Sequence, residues 1–123
     1  MEAPVENLFR IVSAADLASA IASGCVPRCP SDERSNCVYL NTRCDVETVA
    51  NLYFTPDEAP VALEIRRSDI DGDLAFPPSA AGKPFSQVTL ARPTVLFSSV
   101  VAVHPLNVAI SNSLPTFRFA AGA

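Results

Sequence analysis

The sequence predicts a single α+β domain, opening as strand-helix-strand-helix and continuing as a series of strands. Three observations carry this. Two short apolar strands near the amino terminus each run directly into a helix-start signal. After residue 60 the apolar period changes from helical to alternating. A chain of 123 residues is long enough for one hydrophobic core and short for two.

Asn7-Leu8-Phe9-Arg10-Ile11-Val12 reads as the first strand, stopped by Ser13. Ser13-Ala14-Ala15-Asp16 has the Ser-x-x-acid form in which the hydroxyl takes an orphan first-turn amide, so a helix is expected over Ala14–Ser23. Ala14, Leu17, Ala18 and Ile21 hold one stripe of that helix, and Gly24 supplies a left-handed stop. Cys25 to Asn36, with Pro27, Pro30, Ser31, Asp32, Ser35 and Asn36, reads as an exposed loop in which Arg28 and Arg34 are available for an anion. Val38–Asn41 is the second strand. Thr42-Arg43-Cys44-Asp45 repeats the capping pattern, and a second helix is expected over Arg43–Phe54 with Val46, Val49, Ala50 and Tyr53 inward.

Val61, Leu63 and Ile65 alternate with Ala62, Glu64 and Arg66, which describes a half-exposed strand with Glu64 on the solvent side. Ser68 to Asp73 resembles a calcium loop only superficially. Its glycine is misplaced and Ala80 stands where the closing Glu belongs, so a helical turn closed by Gly72 is the expectation. Further strands are expected at Leu74–Phe76, Phe85–Leu90 and Val100–Val103, the last ended by His104-Pro105. This puts the domain at residues 1–106. Residues 107–123 form either a tail or an edge strand carrying Phe117 and Phe119.

The net charge of −4 gives no basis for binding bulk nucleic acid through phosphates. No apolar run reaches membrane-spanning length, and the acidic start Met1-Glu2-Ala3-Pro4-Val5-Glu6 is unlike a secretory signal, so a cytoplasmic location is expected. Cys25, Cys29, Cys37 and Cys44 lie close together, but only the first two have near-zinc spacing, and reduced thiols are the reading. Of these, Cys44 lies in the first turn of the second helix, where a thiol becomes more acidic. His104 is the lone histidine and reads as structural or exposed, with no nucleophile or acid beside it in sequence.

Leu8-Phe9-Arg10-Ile11-Val12, Val38-Tyr39-Leu40-Asn41-Thr42, Val61-Ala62-Leu63-Glu64-Ile65 and Val100 to Leu106, in this order, resemble the domain of unknown function 952 family. That family looks like a reduced ADP-ribosyltransferase and RNA 2'-phosphotransferase fold. The resemblance implies two short mixed or antiparallel sheets with two amino-terminal helices, in the order β-α-β-α-β-β-β-β, and a cleft lined by Arg10, Tyr39, Asn41, Thr42 and Gln87. In that cleft Arg10 would pair with a phosphate, Tyr39 would stack on a base or nicotinamide, and Asn41 would bond a ribose or amide. A small nucleotide, with NAD as the cofactor to test, is the implied ligand, and the family says nothing of a protein partner.

The departures weaken catalysis. Tyr39 stands where the family carries His, Asn41 where it carries Ser, and Gln87 and Thr89 replace a second His and a Tyr; the usual Glu near Leu74–Phe76 is absent. Neither Tyr nor Gln titrates near neutral pH. The expectation is therefore a degenerate, non-catalytic ligand-binding or interaction module, with a nucleotide-handling transferase of altered active site as the alternative. For Tyr39, Asn41 and Thr42, core packing and helix capping explain the residues without any ligand.

Overall fold

The computed structural model describes residues 6–76, 85, 88–111 and 114–119. The first strand, β1 (Leu8–Val12), is buried along its whole length. Leu8, Arg10 and Val12 face one way; Phe9 and Ile11 face the other. Ser13 Oγ accepts the Asp16 amide at 3.1 Å and starts α1 (Ala14–Ser23). Gly24 closes that helix at φ +82°, where a β-carbon would be strained, with its amide on Ala20 O at 2.8 Å.

The expected loop at Cys25–Asn36 is in fact partly helical: α2 spans Pro30–Ser35. Pro30 opens it with a preset φ, Asp32 and Glu33 occupy the first turn, and Asn36 ends it left-handed at φ 53°. A six-residue helix of polar side chains has no apolar stripe, so periodicity could not reveal it.

Strand β2 (Val38–Leu40) buries Val38 and Leu40. The second expected helix begins as a 3-10 turn at Arg43–Asp45 and becomes α3 (Val46–Tyr53). Thr42 does not cap a first-turn amide as expected; its hydroxyl donates to the Asp45 carboxylate at 3.3 Å. Strand β3 (Val61–Ile65) is covered on both faces, because Ala62 is as buried as Leu63. Two 3-10 turns at Arg67–Asp69 and Asp71–Asp73 lead to β4 (Leu74–Ala75). The acids of this stretch face arginines: Asp69 with Arg66, Asp71 with Arg67 and Asp73 with Arg92.

Strand β5 covers Val88–Leu90; the neighbouring positions 86 and 87 lie outside the described residues. Strand β6 (Val100–Ser111) is far longer than expected, since Pro105 does not end it. Residues 100–105 pair with β3, and residues 106–111 pair with β7 (Leu114–Phe119). Pro105 sits at the handover, opposite the first residue of β3, where a missing donor is tolerated. Among the described residues past 106, residues 107–111 belong to β6 and Leu114–Phe119 form β7 at the edge of the sheet.

The result is α+β with two antiparallel sheets, β1-β3-β6-β7 and β2-β5-β4. They join where Phe9 and Asn41 exchange main-chain hydrogen bonds, each 2.8 Å. The larger sheet lies between two cores. On one face Leu8, Val12, Leu63 and Ile65 pack with Ala20 of α1 and the apolar residues of β2 and β5. On the other, Phe9, Ile11 and Ala62 pack with Val46, Val49 and Ala50 of α3, and with Leu106 and Phe117. No helix among the described residues is long and apolar enough to cross a membrane.

Candidate functional site

Arg10 projects from the middle of β1 into the first core, where an unpaired guanidinium would be costly. It meets Asp32 of α2, which is completely buried. Arg10 Nη2 and Nη1 donate to the two carboxylate oxygens at 2.5 and 3.3 Å, and Nη1 also donates to Tyr39 O at 2.8 Å. The amides of Cys29 and Tyr39 donate to the same carboxylate, each at 3.0 Å. Burial opposes ionisation of Asp32, but the Cys29 amide, the charge and hydrogen bonds of Arg10 and the Tyr39 amide together outweigh it and hold the pKa below the usual value. Arg28 Nη2 donates to Asp32 O at 2.7 Å, so a second guanidinium braces the same turn.

Asp32 thus organises the region, although in the sequence it stands out only as one of several polar loop residues. The available signal was Pro30 followed by two acids and a left-handed Asn36, a helix start and stop only six residues apart.

The structure brings Arg10 and Tyr39 together, though not as a ligand clamp. Tyr39 contributes its carbonyl and amide to the Arg10–Asp32 cluster, while its hydroxyl lies 2.6 Å from Ser35 Oγ. Asn41 uses its main chain to join the sheets, and Thr42 bonds Asp45 and, at 3.3 Å, Cys44 Sγ. Gln87 lies outside the described residues. Arg10, expected to meet a phosphate, instead has its fork on Asp32.

A second cluster lies on the opposite face of the larger sheet. Glu64, expected in solvent, is partly buried: it accepts from Asn7 Nδ2 at 2.9 Å and lies 2.8 Å from His104 Nε2. These hydrogen bonds, with the charges of His104 and Arg43, hold the Glu64 pKa below its ordinary value against the opposing effect of burial. The His104 ring packs against Phe9 and Phe119, both at 5.9 Å between centroids. The Arg43 guanidinium lies 4.5 Å from the Phe119 ring centre, a cation–π geometry. Beside it, Glu6, Arg43, Cys44, Glu47 and Phe119 line an open depression of about 490 Å³. Cys44 is exposed there. The depression is thus lined by a guanidinium already stacked on the Phe119 ring and by the carboxylates of Glu6 and Glu47, of which Glu47 accepts the Phe119 amide.

No family model and no curated protein matches this chain. Solved structures do. The crystal structure of protein CC0527 from Caulobacter crescentus superposes with a TM-score of 0.72 at 21% identity, covering 89% of this chain and 92% of that one. Its solution NMR structure gives a TM-score of 0.66 at 22% identity, covering 84% and 86%. The chain shares the fold of CC0527. At this identity the likeness to CC0527 concerns architecture alone, and it spans most of the chain rather than one motif.

Proposed function

We propose that the chain is a non-catalytic binding or interaction module on an ADP-ribosyltransferase-like scaffold of the domain of unknown function 952 type. The observation that carries this reading is the Arg10–Asp32 pair. Both terminal nitrogens of Arg10 are engaged by Asp32 and Tyr39 O, and its remaining Nε is buried out of reach of a ligand in solvent. Turning it outward would leave Asp32 buried and unpaired, which costs about 3–5 kcal/mol. Tyr39 supports the same reading, because its hydroxyl is engaged by Ser35 and its main chain by Asp32 and Arg10. Nor does the second cluster offer an acid poised for chemistry: Glu64 is ionised and already has both oxygens in hydrogen bonds.

The experiment is a thermal-shift titration with NAD, ADP-ribose and 2'-phosphorylated RNA ends at millimolar concentration. A ligand at a hundredfold excess over its Kd would stabilise the protein by about 2.7 kcal/mol, and no such shift is expected. A saturable shift lost in Tyr39→Ala would make the module a ligand-binding one, and turnover of the bound ligand, read as released nicotinamide or phosphate, would overturn the proposal in favour of a nucleotide-handling transferase with a changed site.

A further inference from the structure

The hairpin of β6 and β7 has two edges, treated very differently. On the outer edge of β7, Asn51 of α3 acts as a substitute strand: its Oδ1 accepts the Phe117 amide at 2.6 Å and its Nδ2 donates to Phe117 O at 3.2 Å. Glu47 Oε2 accepts the Phe119 amide at 2.8 Å. By strand alternation the remaining outward position is Pro115, which has no N–H. That edge is closed to another strand.

Among the described residues, the other edge is open. β3 ends opposite Pro105, and Pro60 before it cannot donate to prolong the ladder. Beyond that point β6 runs on through Ser111 with β7 as its partner on one side only, among the described residues. Alternation turns the main-chain groups of Val108 and Ile110 toward the vacant side. Their side chains are 45% and 71% exposed. From Leu106 to Ser111 there is no charged residue, proline or other device that usually protects an edge.

We propose that two copies of the chain pair through this edge of β6, antiparallel about a two-fold axis at Ala109. Val108 of each copy then lies opposite Ile110 of the other, and these residues exchange main-chain hydrogen bonds. The two larger sheets become one continuous sheet. A second copy is the occupant that fits, for two reasons. An antiparallel pair about a two-fold axis is self-complementary, and this register sets apolar side chains against each other twice. The stretch from Leu106 to Ser111 also carries no charge, so two copies can meet at this edge without setting like charges against each other despite the net charge of −4. The inference concerns assembly and stands apart from whether a ligand binds.

Sedimentation velocity from micromolar to millimolar chain concentration tests it. The wild type is expected to pass reversibly from monomer to dimer, with slowed amide exchange at Val108 and Ile110 in the dimer. Ile110→Lys is expected to abolish the dimer with an unchanged circular dichroism spectrum. Val108→Pro removes one N–H from the vacant side while leaving the ladder to β7, and should abolish it too. A wild-type monomer throughout the range, or a dimer that survives either folded variant, overturns the proposal; a monomer that captures an unrelated β-strand peptide does so as well.

Discussion

Asp32 takes two hydrogen bonds from Arg10 and one each from the amides of Cys29 and Tyr39 while fully excluded from water. Replacing it with Asn keeps the volume but leaves Arg10 as an uncompensated buried charge, and urea unfolding of Asp32→Asn should show a loss of about 3–5 kcal/mol. The exposed Arg66–Asp69 pair makes a useful contrast, since removing it should cost about 1 kcal/mol or less. Acid should act through the same residue. The pKa values of Asp32 and Glu64 are lower in the folded protein than the roughly 3.9 and 4.3 of unfolded chains, so their contribution is present above those values. It is lost as the pH falls through about 4 and then through the folded values. Unfolding free energies measured over an acid series should decline there in the wild type and decline less in Asp32→Asn and Glu64→Gln. Parallel slopes in all three proteins would show that other carboxylates carry the acid transition.

Among the elements, α3 both fills the second core and closes the β7 edge, and Asn51 separates the two tasks. Asn51→Ala leaves the apolar face of α3 intact but strands the amide and carbonyl of the buried Phe117. A loss of about 1–3 kcal/mol in chemical unfolding is expected, with Asn51→Asp losing less because it keeps the acceptor for the Phe117 amide. The ends of helix α1 are legible because Ser13 and Gly24 are local signals that do in the fold what their residue types suggest, but the apolar stripe misleads: Ala20 is the buried residue, Leu17 is half-buried, and Ala14, Ala18 and Ile21 are exposed. The alternation of β3 was legible as a strand and misleading about exposure, since a sheet covered on both faces buries Ala62 as well as Leu63. Pro105 was read as a stop because sequence cannot say which neighbouring strand ends beside it. The same holds at the site. Tyr39 and Arg10 both stand out in the sequence, but the partner that fixes their role comes from a charged helix with no periodic signature.

For the molecule as a whole, the larger sheet joins strands far apart in the chain, β1 against β3 and β3 against β6, to the sequence neighbours β6 and β7, so completing it requires long-range pairing. The two cores share that sheet as a common wall, and α2 is fastened to it by the Asp32 carboxylate. One consequence concerns local opening. Surface segments with polar helices commonly fray on their own, at little free-energy cost. Here, lifting residues 29–39 away from the sheet would strip Arg10 of its counter-charge in the middle of a buried strand. The polar helix is thereby denied an independent excursion, and it stays folded for as long as the strand beneath it does.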